Sequence, residues 1–178
     1  MKRYLLLLAS LLTLSPCGSA AEPPAPPSKP IAFDTHDGYF VSNKFEAAAP
    51  TSFVVLKDQA SFDKVFGVGM VMNDKHHRLQ PATFGTKIVL SAIHRGKAMV
   101  TYQVASVTAE SQTLVLRYTT TSKPSESAEF ACPLIISLDK GDYSKVRFVE
   151  NGKKIKQVDI EPSANAKHAT KDVAEPKL

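Results

Sequence analysis

The pattern that dominates the middle of the chain has period two. Ile88, Leu90 and Ala92 alternate with Val89 and Ser91, and Val100, Tyr102 and Val104 alternate with Thr101, Gln103 and Ala105. Leu114, Leu116 and Tyr118 alternate with Val115, Arg117 and Thr119. Leu134, Ile136 and Leu138 follow the same rule, and Val146 and Phe148 flank Arg147. Alternation rich in β-branched residues predicts half-buried strands. The joints carry turn chemistry. Glu150-Asn151-Gly152-Lys153 supplies two residues that tolerate positive φ, as a tight hairpin demands. Arg95-Gly96-Lys97 is expected to join strands 87–94 and 98–109, and Glu110-Ser111-Gln112 to join the latter to 113–121. Three such hairpins in a row predict an antiparallel meander rather than βαβ units.

One short helix is predicted after a strand at 52–57. Asp58 can cap it, Phe62, Val65 and Phe66 share a face, and Gly67 is the expected stop. That face would cover one side of the sheet, which a short sheet needs for stability. The expected fold class is therefore α+β, mainly β: a single antiparallel, meander-rich domain with one short helix.

The ends read differently. Lys2 and Arg3 precede an apolar run from Tyr4 to Leu14, and Gly18 to Ala21 are small. This is the three-part pattern of an export signal, predicted over residues 1–21. A run of about 11 residues falls short of the roughly 20 that span a membrane. Leu14-Ser15-Pro16-Cys17-Gly18 resembles a degraded lipobox, with lipidation at Cys17 as the alternative anchor. Proline before that cysteine fits poorly, so cleavage near 20–21 is the expected route. Residues 22–30 hold five prolines in nine positions and read as a stiff spacer. Residues 161–178 lack apolar periodicity and read as a disordered tail. The β-rich domain is thus expected over 31–160. The localisation that follows is the periplasm or cell envelope.

Composition narrows the function classes. Charged residues at 22% and hydrophobic residues at 43% exclude a wholly disordered chain. Two cysteines build neither a disulfide scaffold nor a zinc ribbon. Removal of Lys2 and Arg3, with no acidic residue before Glu22, lowers the formal charge from +5 to +3. A mildly basic exported chain gives no argument for nucleic acid.

Residues 67–86 are the least regular stretch, with Gly67, Gly69 and Gly85 loosening the backbone. A loop of that length in a small domain is a functional candidate. Its apolar patch makes Met70 and Met72 the expected partner-binding residues. Asp74, His76 and His77 are candidate metal ligands, with Asp34, His36 or Asp37 as completing groups, but a solvated polar loop is the simpler reading. Ser61-Phe62-Asp63-Lys64 matches Ser-x-x-Lys, without the companion elements of that enzyme class. Cys132 beside Pro133, with His94 or His36 elsewhere, is a thin basis for a thiol hydrolase; cysteine among apolar residues is usually a small buried hydrophobe. Pro133 suggests a bulge or an edge. Lysines 140, 145, 153, 154 and 156 around the last hairpin read as guards of an edge strand. No catalytic residues and no cofactor are assigned.

The order Ser52-Phe53-Val54-Val55-Leu56-Lys57, helix, Ile88-Val89-Leu90-Ser91-Ala92, then His94-Arg95-Gly96-Lys97 resembles the C-terminal domain family of PrcB-like proteins. Cys132 to Ile136, and Val146 through Asn151-Gly152-Lys153, are similar to that family's closing strands. The likeness covers roughly 50–155. Lys140-Gly141-Asp142-Tyr143 followed by Phe148-Val149-Glu150-Asn151-Gly152-Lys153 also resembles the ending of other exported β-rich proteins. The resemblance implies a small exported β-rich domain, and the family's namesake is an accessory subunit of a bacterial surface protease complex. Typical members carry Thr-Gly-Gly-Tyr after the basic turn, where this chain has Met99-Val100-Thr101-Tyr102. The leading expectation is a non-catalytic exported module of the bacterial envelope that binds another protein. The alternative is a metal or small-ligand binding protein using the 67–86 loop.

Overall fold

The computed structural model describes residues 28–69, 77–80 and 82–160. In chain order its elements begin with β1 (Ser28–Pro30), β2 (Phe33–His36), β3 (Tyr39–Val41), β4 (Thr51–Leu56), α1 (Gln59–Val65) and β5 (Phe66–Val68). Then come α2 (Thr83–Thr86), β6 (Lys87–Gly96), β7 (Ala98–Glu110), β8 (Thr113–Pro124), β9 (Phe130–Asp139), β10 (Lys145–Glu150) and β11 (Lys153–Asp159). The fold is mainly β with short helices, in the α+β class.

Two sheets face each other. The first has the order β1-β7-β8-β10-β11, the second β2-β9-β6-β4, and β3 pairs with β5 in a small third sheet. All pairs are antiparallel except β8 with β10, which run parallel. The alternating positions meet between the large sheets. Leu90, Leu114, Leu116, Ile136, Leu138, Val146 and Phe148 form a core there with no solvent exposure. Their burial is the main stabilising contribution, at about 25 cal/mol per Å² of apolar surface.

The other face of the second sheet is also covered. Val89, Ile93 and Ile135 point outward from β6 and β9 and are buried by Phe62 and Val65 of α1, Phe66 of β5, Val41 of β3 and Phe84 of α2. β6 is therefore apolar on both sides, as a central strand between two layers must be.

Several expectations change. Arg95-Gly96-Lys97 is not a hairpin, because β6 and β7 belong to different sheets. Both strands turn an apolar face to the same core, so alternation alone does not distinguish a hairpin from a crossing between facing sheets. Gly96 makes the crossing at φ +140, a conformation side chains rarely adopt. The other two hairpins form, with Ser111 at φ 55 and Asn151 at φ 49 before Gly152 at φ 79. The paired region starts three residues before 31, since Ser28–Pro30 joins β7. A second helix, α2, adds to the single one expected; four residues carry no periodicity to read. α1 ends at Val65, and Phe66 turns extended into β5 instead of leaving Gly67 as the stop. Glycine at 67 accommodates a close approach instead: a Cβ there would lie 2.2 Å from the exposed ring of Phe40, which would have to swing aside.

Two readings of single residues carry over. Pro133 lies in β9 past the end of β2, where that side of β9 has no strand neighbour among the described residues. β11 is an edge strand and carries Lys153, Lys154 and Lys156, but Lys145 lies on β10 inside the sheet and Lys140 donates to the Phe84 carbonyl (2.6 Å), so neither guards an edge. Among the described residues no helix is long and apolar enough to cross a membrane. The signal at 1–21 with Cys17, the spacer up to 27 and the tail at 161–178 lie outside the described residues.

Candidate functional site

The 67–86 segment borders two concavities, one on each side of the β2–β3 connection. At the first, β2 pairs with β9 so that His36 sits opposite Ile135. His36 Nδ1 donates to the His77 carbonyl (3.2 Å), which leaves Nε2 to accept from Ser137 Oγ (2.8 Å). His77 Nδ1 donates to the Thr35 carbonyl (2.6 Å), and its backbone N–H donates to Asp37 Oδ1 (2.6 Å). The two imidazoles stack with centroids 5.0 Å apart. Burial holds His36 below the ordinary histidine value; the hydrogen bond to the His77 carbonyl opposes this, and the His77 ring adds to it. Beside the pair lies a cavity of about 370 Å³, lined by Thr35, Asp37, Val100, Tyr102, Pro133 and Ile135 among others.

The structure thus joins His36, Asp37 and His77, which sequence spacing alone did not bring together. Both ring nitrogens of His36 and Nδ1 of His77 are occupied, so Nε2 of His77 is the ring nitrogen these bonds leave over. Among the described residues no group of three or more His, Cys, Asp or Glu side chains could hold a metal ion. Asp74 and His76 lie outside the described residues. Asp34 is tied to Lys87 (2.6 Å), which holds its carboxyl below the usual range.

The second concavity lies between α1 and the β3–β5 pair. α1 is positioned by Asp58, whose carboxylate accepts from the Ser61 backbone N–H (2.7 Å). That bond is the main reason the Asp58 pKa lies low. Ser61 Oγ donates to the same carboxylate (3.1 Å), so the serine of the Ser-x-x-Lys match belongs to the helix cap. A groove of about 530 Å³ is lined by Tyr39, Phe62, Phe66, Val68, Arg78 and Leu79, with others. Tyr39 Oη accepts from the Leu79 N–H (3.1 Å), and Arg78 donates to the Gly69 carbonyl (2.5 Å). Aromatic contacts make the floor rigid: Phe62 packs against Tyr39, Phe66 and Phe84 with centroids 5.0–5.8 Å apart. On that face Val68 is 46% exposed, while Phe40, at 55%, is exposed on the opposite face of the β3–β5 pair. Phe40 lies across Gly67 on the outer side of the small sheet. Met70 and Met72 lie outside the described residues; they follow Val68 and Gly69 directly in the chain.

Cys132 lies elsewhere. It is half-buried opposite His94 in the β6–β9 ladder, at the end of the inter-sheet space where the core turns polar. His94 Nε2 donates to Glu150 Oε2 (3.0 Å), and Tyr118 Oη (3.1 Å) and Thr120 Oγ1 (3.2 Å) donate to the same carboxylate. Tyr102 Oη donates to the Cys132 carbonyl (2.7 Å). Burial pushes both tyrosine hydroxyls far up, with Cys132 adding to it for Tyr102 and Glu150 for Tyr118. Sequence reading named Cys132 and His94 but missed Glu150, Tyr102 and Tyr118 as their neighbours. The signal was present: all five occupy inward positions of the alternating pattern. Each engaged donor and acceptor here satisfies a polar group at the core's end.

Comparison with protein-family models, with curated proteins and with solved structures finds no match.

Proposed function

We propose that this chain is an exported, non-catalytic module of the bacterial envelope that binds another protein through the α1/β3/β5 face. The observation that carries this reading is the open groove of about 530 Å³ with Val68 exposed at its rim, and Phe40 exposed on the other face of the same small sheet. Exposed apolar groups beside a packed aromatic floor are the composition of an interface centre. Met70 and Met72 follow Val68 closely in sequence, and methionine adapts well to a partner surface. The export pattern at 1–21 and the resemblance of 50–155 to PrcB-like domains, whose namesake is an accessory subunit, agree with it. The test is mild crosslinking in the native envelope, comparing wild type with a Phe40→Asp/Val68→Asp variant. A stoichiometric partner held by wild type and lost by the folded variant supports the reading. The same proteins in both samples refute it.

The His36–His77 cavity favours a second reading, a small-ligand site. Thermal-shift titration with small organic acids, sugars and inorganic phosphate, and His77→Ala as the control, decides it. Identical titrations of the two proteins would end this reading.

A further inference from the structure

β7 is thirteen residues long, and β1 covers its outer edge only from Thr108 to Glu110. Next to that, the Ile31 N–H donates to the Val107 carbonyl (2.9 Å). At the other end, the Val100 N–H is taken by Cys132 Sγ (3.3 Å). Between these two bonds, from 101 to 106, no strand among the described residues pairs with the outer edge of β7. An unpaired strand edge is a template for another strand.

The sequence of this edge is unusual for an edge left open. Residues 98–109 read Ala-Met-Val-Thr-Tyr-Gln-Val-Ala-Ser-Val-Thr-Ala, with no charge, glycine or proline. β11, at the opposite edge of the same sheet, carries Lys153, Lys154 and Lys156. Lysine keeps strands from adding there. On β7 the one irregularity is a register shift against β8 between Val104 and Ser106.

We propose that this stretch of β7 pairs antiparallel with the same stretch of a second copy, joining two first sheets into one. Three observations favour a second copy. An antiparallel pair about a two-fold axis needs one surface, complementary to itself. Pairing about Gln103 sets Tyr102 against Val104 of the other copy and the reverse, an aromatic–β-branched match of half-buried inward residues. It spans 101 to 105 and stops short of the bonds already made at Val100 and Val107. Finally, the chain is net basic, with a formal charge of +3 once residues 1–21 are removed, so two copies repel wherever lysines meet, and this edge holds none. This pairing is independent of the apolar groove beside α1, but it would cover the His36–His77 cavity, which Thr101, Tyr102 and Val104 also line.

The test is the mass of the purified chain by sedimentation across a concentration series. The expected result is a rise from one chain to two at micromolar concentration. Thr101 and Gln103 are exposed, so Thr101→Lys with Gln103→Lys places charge on the edge and should return a one-chain mass with an unchanged circular dichroism spectrum. Lys154→Gln with Lys156→Gln should leave the doubled mass intact. Should the charged variant fail to fold, Gln103→Cys in a Cys17→Ser/Cys132→Ser background gives a second reading: oxidation should link two copies through position 103. A one-chain mass at every concentration overturns the proposal, as does a dimer that survives the folded charged variant. Absence of the 103–103 link in a folded protein also overturns it.

Discussion

The second sheet is buried on both faces, and the two faces differ in finish. Toward the first sheet, Leu90, Leu138, Phe148 and their neighbours leave no exposed atoms. Toward the helices, the Phe62–Phe66–Phe84 layer is equally well packed at its floor but stops short of covering Phe40 and Val68. The inner layer is closed because every strand of both sheets except β1 contributes to it. The outer layer is built from one helix of seven residues, another of four and two three-residue strands, too little to seal its own surface. Closure of that kind is a stability device. Open apolar surface on a rigid base is what a partner needs, and the proposed function rests on that contrast.

Substitutions sharpen the comparison. The largest loss is expected inside: Phe148→Ala should cost about 3–5 kcal/mol by denaturant unfolding, since it removes a ring with no exposure. Next comes the polar end of the same space. Glu150 accepts from His94, Tyr118 and Thr120, so Glu150→Ala should cost about 1.5–3 kcal/mol. In the outer layer Asp58→Ala removes the cap of α1 and should lower the melting temperature less than either. A Phe40→Asp substitution alone should fall within about 0.5 kcal/mol of wild type, as exposed positions do. Should it unfold the domain instead, Phe40 is core and the contrast fails.

A smaller effect concerns pH. Burial keeps the folded His36 value below the unfolded one, near 6.5. The unfolded chain therefore binds the proton first. Stability from this group is full above that pH and falls as pH drops through the folded value. Thermal melts from neutral to mildly acidic pH should show the decline, and His36→Gln should flatten it. Asp34 and Asp58, both held low, add losses only at more acidic pH, below the usual carboxylate range.

Most of the β architecture was legible because alternation and turn chemistry are local. Asn151-Gly152 and the Asp58 cap needed no tertiary information. What stayed hidden was long-range. The pairing of β8 with β10 in parallel, and the passage of the chain between sheets at Gly96, leave the alternation unchanged. β2, β3 and β5 are three or four residues long, too short for a period to show. The site divides the same way. His77 was named from composition, but its bonds to 35–37 come from chain segments about forty residues apart. Phe40 carried no signal, because an exposed aromatic reads the same as a buried one until its neighbours are placed.

The most direct test of the outer face as a docking surface is site-specific photocrosslinking in the native envelope. The crosslinker replaces Phe40 in one sample and Ile155, an exposed apolar residue on β11, in the other. One discrete adduct from position 40 and none from 155 is the expected result. Equal adducts from both positions, or none from position 40 in a folded and abundant chain, would contradict it.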